Sequence, residues 1–509
     1  SFLNLAPNEK PTFADNLVFF FKYQVNFMYF RYFLWNFSGR QNDTQGYGNV
    51  RDGNWITGIP FIDNLMYGDQ SNMRNSHKVT RAHTPLSLLP LILGLIGLFY
   101  HYSRHRRDWL IVGLLFFFTG FAIVLYLNQA GNQPRERDYA YVGSFYAFAV
   151  WIGLGVLSVY EFLKKKLKEN PISAPLSAAI CLLAVPVLMG FQEWDDHDRS
   201  SKTIARDVAK DYLESCAPNA THFTVGLNDT YSLWYAQEVE GIRPDVRVIN
   251  LSLLGVHWYI DQQRQKVNQG DPVPMTWSPD KYRGENRNYI RFYDAGVFPQ
   301  DKFYNLKEVM GFMASDDPRA KLSTTDGNQE NYLPSQKLFI PVNVADVIKN
   351  GVIDIKDSSK VLPQLPIQIT KNYLLKNDLA VYDIIAANEW KRPIYFTSPT
   401  DLGLNDYLRM DGLTYHLVPI RKEPGNDMLG ADFNVNAPVM YNNLMTKFAY
   451  GGAETAGTYS DEPNRKLLQY LRNAYTRLGT VLAQDYRKVS ALTVHNKAAK
   501  GLLETKFRY

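Results

Sequence analysis

The sequence predicts a polytopic α-helical membrane domain followed by a soluble α/β domain with a parallel-sheet unit. Three observations predict it. Apolar runs of about the length a bilayer crossing needs, roughly 20 residues, gather between positions 85 and 191. The connectors on one side of these runs carry clustered Arg or Lys. Beyond 191 the chain turns polar, and a strand, a helix and a second strand follow one another. The expected divisions are 1–85, an extracytoplasmic amphipathic helix and loop; 86–191, four transmembrane helices; and 192–509, a soluble α/β domain ending in helices.

At 509 residues the chain has room for two or more domains. Its 33 Tyr, 29 Phe and 9 Trp suit a protein living partly at a bilayer interface. Mean hydropathy is slightly negative, so the membrane part is a minority. The net charge of +5 collects in juxtamembrane runs, which argues for topology rather than nucleic acid. Cys181 sits in an apolar run and Cys216 beyond it, which argues against an internal disulfide and offers no metal spacing. The opening Ser-Phe-Leu-Asn-Leu-Ala-Pro has neither an initiator Met nor a signal-peptide pattern, so a C-terminal portion of something longer is expected.

Residues 17–37 set Phe20, Tyr23, Phe27, Phe30, Leu34 and Phe37 three and four apart on one helical face. Lys22, Gln24, Asn26, Arg31 and Asn36 interrupt the stretch too often for a crossing. It reads as an amphipathic helix lying at an interface or against other helices, and a buried core helix has the same period. Glycine, amides and Asp then dominate 38–48 and 52–64, as in an ordered surface loop. Arg40 and Asp43 there suit a polar headgroup or a sugar, though loop solvation accounts for them equally.

Four apolar runs follow at 85–102, 109–127, 140–163 and 174–191, the last punctuated by Pro175 and Pro186, which membrane helices tolerate. Arg104, Arg106 and Arg107 lie between the first two, and Lys164, Lys165, Lys166 and Lys168 follow the third. The positive-inside rule puts both connectors in the cytoplasm. The opening stretch, the loop 128–141 and everything after 191 then face the other side. Arg135 and Arg137 weigh against that assignment, but Glu136 and Asp138 accompany them and the lysine run is stronger.

The loop 128–141, Asn-Gln-Ala-Gly-Asn-Gln-Pro-Arg-Glu-Arg-Asp-Tyr-Ala-Tyr, organises the chain. A connector needs only a turn. This one sets Arg135, Glu136, Arg137 and Asp138 at the edge of hydrocarbon, where charge is costly unless it pairs or meets a charged ligand. The plainer explanation is that these residues cap and anchor two helix ends at the headgroups.

Farther on, 201–215 reads as a helix, His222-Phe-Thr-Val-Gly as a strand, and 230–240 as a helix opened by Asn228-Asp-Thr. Val246-Arg-Val-Ile-Asn-Leu-Ser reads as a second strand. That βαβ unit implies a parallel sheet, and ligands sit at the carboxyl ends of such strands. Gly226-Leu-Asn-Asp-Thr has one glycine and no following Lys, so it is not a phosphate loop. Asn228 or Asp229 reads as a helix cap ahead of a ligand. Residues 262–378 mix Pro, Gly, Asn and Lys with short apolar pieces. A helix from 381, strands at Pro393-Ile-Tyr-Phe-Thr and Gly412-Leu-Thr-Tyr-His-Leu-Val-Pro, and a helical end over 464–503 complete the chain.

Several of these stretches carry a resemblance: Met28-Tyr-Phe-Arg-Tyr-Phe-Leu-Trp-Asn-Phe-Ser-Gly-Arg-Gln-Asn-Asp, Asn132-Gln-Pro-Arg-Glu-Arg-Asp-Tyr-Ala-Tyr-Val-Gly-Ser-Phe-Tyr-Ala-Phe, and Asn228-Asp-Thr-Tyr-Ser-Leu-Trp-Tyr-Ala-Gln-Glu-Val-Glu-Gly. With Arg392-Pro-Ile-Tyr-Phe-Thr and the strand at Gly412, they resemble a family of large membrane proteins of Bacteroidetes-type Gram-negative bacteria. That family is similar in turn to the animal endoplasmic-reticulum protein O-mannosyltransferase of plexin-type receptors. The resemblance implies a GT-C-like membrane domain, here partial, in a glycosyltransferase. Such an enzyme moves a mannose-like sugar from a polyprenyl-phosphate donor to protein Ser or Thr. It implies a multi-pass protein of the inner (cytoplasmic) membrane with 192–509 in the periplasm. Its partners would be membrane lipids, the lipid-linked donor and an acceptor protein, with no nucleic acid. No cofactor is assigned and a divalent metal stays open, although Leu227 and His257 stand where the family usually carries acids. The catalytic acid is expected ahead of Ser1, so no catalytic residue is assigned.

Transfer from a lipid phosphate needs a carboxylate base, cations on the leaving phosphate and exclusion of water. Arg135 and Arg137 are the candidate clamp, because a guanidinium meets phosphate as a fork. Asp138 or Glu136 would orient them, and Arg40 and Asp43 would line the same cavity. Two rival readings stand beside this one. One is a non-catalytic membrane-anchored binding or assembly module with a partner-recognition domain. The other is an accessory to lipid or polysaccharide transport.

Overall fold

The structure, a computed structural model, describes residues 2, 9–72, 80–131, 133, 135–323, 329–422 and 434–503. Asn132 and Pro134 of the organising loop lie outside the described residues. Two compact units divide the chain: Ser1–Ser201 with Tyr459–Arg465, and Lys202–Thr458 with Lys466–Glu504.

Helices build the first unit. Residues 13–37 form one continuous helix, α-helical at Phe13–Phe19 and Arg31–Phe37 and π-helical at Phe20–Phe30. Thr12 starts it with a capping box closed by Asp15. Most of its residues from Tyr23 to Phe37 are buried, and the helix packs with Phe116, Phe145, Phe148 and Trp151. Of the placements open to this stretch, the structure shows a core helix against other helices. Two of its polar interruptions, Gln24 and Arg31, are 5% and 3% exposed and bonded inside the unit.

Among the described residues, three helices are long and apolar enough to cross a membrane: Arg106–Leu127, Asp138–Lys166 and Ser173–His197. The helix in the expected first run, 85–102, is not among these three. That helix, Leu89–Arg104, has 16 residues, short of the roughly 20 a bilayer needs. The cause is local. Thr84–Pro85 pairs as a strand with Gly39–Arg40, and Ser87 and Leu88 then turn left-handed, at φ 53° and 60°, so the helix begins only at Leu89. It lies tightly on Val142–Lys166: a Cβ on Gly97 would fall 1.7 Å from the Trp151 carbonyl oxygen, the close backbone approach that small residues permit. In Ser173–His197, Pro186 sits in a π-helical stretch, Leu183–Val187, which accommodates its missing N–H.

In the second unit a five-stranded sheet runs in the order Leu408–Met410, Tyr415–Leu417, Ile394–Phe396, Thr221–Thr224, Arg247–Asn250. The last three are parallel and the first two antiparallel. The predicted βαβ unit is present, with Leu227–Glu238 as its helix. Every residue of its strands is buried, as a sheet covered on both faces requires. Ala209, Leu213, Leu233 and Ala236, from Ile204–Glu214 and Leu227–Glu238, cover one face. Leu379, Tyr382 and Ile385 of Lys376–Asn388 pack with Phe223, Ile394 and Phe396 on the other. Two further sheets, of three and four strands, lie within 289–375. The sequence showed only short apolar pieces there, because strands of two to five residues carry too little alternation to read. The helical end is two helices, Glu462–Gln484 and Lys488–Gly501, parted at Tyr486 where φ reaches 60°.

Candidate functional site

The loop 128–141 is held from the helix over 13–37 at two points. At the first, the Tyr23 hydroxyl donates to the Ala130 carbonyl (3.1 Å), and Gln24 Nε2 donates to Asn128 Oδ1 (3.0 Å) and the Gln129 carbonyl (2.8 Å). At the second, Arg31 donates to both oxygens of Glu136, at 3.0 and 2.6 Å. The Tyr32 hydroxyl donates to Glu136 Oε2 at 2.5 Å and receives the Arg137 N–H at 3.1 Å. The Gly46 N–H reaches Glu136 Oε1 at 2.9 Å, and Arg31 also donates to the Gly53 carbonyl at 2.6 Å. Gly53 must be glycine: its φ is +58° and a Cβ would stand 2.7 Å from the Thr44 carbonyl oxygen.

Glu136, expected to orient the neighbouring arginines, therefore belongs to Arg31 in a two-pronged pair. Arg135 is exposed, its guanidinium 5.8 Å from the Tyr139 ring centre. Arg137 is half-buried, and its Nε is enclosed without a hydrogen-bond partner. Among the described residues neither forms an ion pair. Asp138 opens the short turn Asp138–Tyr141 and pairs with neither arginine.

Arg40 and Asp43 are engaged elsewhere in the same unit. Arg40 donates to the Asn42 carbonyl at 3.1 Å and lies 4.2 Å from the Trp35 ring centre, a ring that Arg31 also faces at 4.6 Å. Asp43 receives the hydroxyls of Thr80 (3.2 Å) and Tyr459 (2.7 Å) and sits 3.6 Å from Arg465. Burial would raise its pKa, but Arg465, Tyr459, Arg40 and Thr80 together hold it below the ordinary carboxylate value. Sequence reasoning missed Arg31 and Tyr32 as the loop's anchors. The available signal was an Arg on the aromatic face, four residues after Phe27.

The second unit holds a cleft of about 520 Å³. Asn228 and Asp229, which follow the strand Thr221–Thr224, form part of its wall, as do Thr397 and Ser398, which follow Ile394–Phe396. Tyr212, Tyr415, Tyr470 and Arg477 also line it. Asn228 and Asp229 are not caps. The helix begins at Leu227, its N-cap is Gly226, and the two polar residues stand inside the first turn. Asp229 reaches back to receive the Val225 N–H at 3.3 Å. Thr397 is hydrogen-bonded to His222 Nε2 at 3.2 Å. Across the sheet, His222, Tyr395, His416 and Arg409 stand side by side, with the Asp411 carboxylate 3.0 Å from both His416 Nδ1 and the Tyr395 hydroxyl. Burial pushes the His222 imidazole down to about 3, so it is neutral. Among the described residues no three His, Cys, Asp or Glu gather as a metal-ligand group.

No curated protein and no solved structure matches the chain. Residues 205–436, which include the strand–helix–strand unit and the Asn228, Asp229, Thr397 and Ser398 side of the cleft, match the family model described as TMEM260-associated domain 2.

Proposed function

We propose that the chain is part of a membrane glycosyltransferase that moves a mannose-like sugar from a polyprenyl-phosphate donor to protein Ser or Thr, with Arg135 and Arg137 gripping the leaving phosphate. One observation carries this reading. The acid between the two arginines is taken by Arg31, which leaves two guanidiniums without acidic partners among the described residues, beside the ends of two apolar helices. In the transfer, a carboxylate base takes the proton of the acceptor hydroxyl, whose oxygen bonds to the sugar's anomeric carbon as the bond from that carbon to the phosphate oxygen breaks. The electron pair departs with the phosphate, whose growing charge is what a guanidinium stabilises. This chain's share of the chemistry is at that leaving group. The match of 205–436 to a TMEM260-associated domain supports a glycosyltransferase-related role.

The test is transfer from a polyprenyl-phosphate mannose to an acceptor peptide in membranes. Arg135→Ala and Arg137→Ala should each lower the rate by roughly 10- to 100-fold, the worth of one charge-assisted hydrogen bond, with expression unchanged. Wild-type rates in both variants would remove the clamp.

A further inference from the structure

Thr221–Thr224 lies between two parallel neighbours reached by opposite routes. Its own chain leaves through Leu227–Glu238 on one face to Arg247–Asn250, whereas the chain leaving Ile394–Phe396 turns to the other face, where Leu402, Leu404 and Tyr407 pack with Lys376–Asn388. The connections beyond the carboxyl ends of these two strands therefore diverge, which is the position where open α/β sheets bind their ligands. The cleft opens there, and its volume of about 520 Å³ is within the roughly 300–1,000 Å³ of small-molecule sites.

We infer that this cleft binds an uncharged carbohydrate. Tyr212, Tyr415 and Tyr470 offer aromatic faces on which the C–H face of a sugar ring packs, and Tyr470 is 60% exposed. Asn228, Asp229, Thr397, Ser398 and Asn473 offer donors and acceptors for its hydroxyls. Charge separates a sugar from a phosphate. A phosphate is drawn to a helix N-terminus, but here the Asp229 carboxylate occupies the first turn and repels an anion. Arg477, the cleft's cation, is turned to the Tyr415 hydroxyl (3.1 Å) and Met410 Sδ (2.9 Å). A purely apolar ligand would strip water from the amides and the carboxylate without replacing their hydrogen bonds. This inference rests on the second unit alone and not on the donor clamp, so either can fail without the other.

The experiment uses the full chain in detergent with maltose, α-mannobiose and N,N′-diacetylchitobiose as probes, read by saturation-transfer NMR and equilibrium dialysis. Inorganic phosphate serves as competitor. Asn228→Ala and Tyr470→Ala alter exposed side chains and should leave thermal unfolding unchanged. The expected result is saturable binding of at least one saccharide, weakened tenfold or more in both variants and indifferent to phosphate. Absence of binding by all three probes, equal binding in both variants, or displacement by phosphate would each overturn the assignment.

Discussion

Glu136 sits between two arginines in sequence yet answers to a third, Arg31, whose side chain is 4% exposed against 13% for Glu136. A buried ion pair broken from one side leaves an uncompensated charge, at a cost of about 3–5 kcal/mol. Glu136→Gln should therefore lower the unfolding temperature in detergent markedly. Pairing it with Arg31→Gln should recover part of the loss, because both charges are then gone. A double variant as unstable as the sum of the two singles would show that the carboxylate and the guanidinium do not act as a pair. The distinction bears on function: Glu136→Gln should harm folding first, whereas Arg135→Ala and Arg137→Ala should harm transfer with folding intact.

Where Leu89–Arg104 meets Val142–Lys166, the approach of two backbones rests on residues without side chains. Gly97→Ala puts a methyl into the Trp151 carbonyl, so the helices must part, at a cost of at least the about 1–3 kcal/mol of an overpacked core. Gly113→Ala, with nothing within 4 Å of its Cβ, should leave the unfolding temperature unmoved. Equal effects from both would refute close packing at Gly97. How much of each element could be read beforehand follows from how local its causes are. The βαβ unit was legible because short buried strands and a polar turn announce themselves within 30 residues. The start of Leu227–Glu238 was placed three residues late, since Asn228 and Asp229 look like caps until the backbone shows them inside the first turn. The late start of Leu89–Arg104 was hidden, because pairing of Thr84–Pro85 with residues some 45 positions earlier sets it. Arg31 read as an interruption for the same reason: its partner lies 105 residues away. In the cleft, Asn228 and Asp229 were visible as a polar turn, while Tyr470 and Arg477 come from a helix with no motif of its own.

Over the whole chain two compact units are seen, and the path between them is not a simple passage from one to the next. Tyr459–Arg465 belongs to the first unit, where Tyr459 and Arg465 hold the buried Asp43 carboxylate. Combining Tyr459→Phe with Arg465→Ala should leave that carboxylate undercompensated and speed proteolysis of the stretch 38–57 several-fold. Adding Asp43→Asn should slow it again. If the third substitution changes nothing, charge is not what ties the segment down. There is also a consequence for how the protein is made. About 400 residues emerge from the ribosome between Asp43 and Arg465, and at about 5–20 residues per second that takes roughly 20–80 seconds. Through that interval the amino-terminal unit waits for its last cation. A nascent chain that stalls before Arg465 therefore leaves the Asp43 carboxylate with Arg40 and Thr80 but without the largest of the charges that hold it.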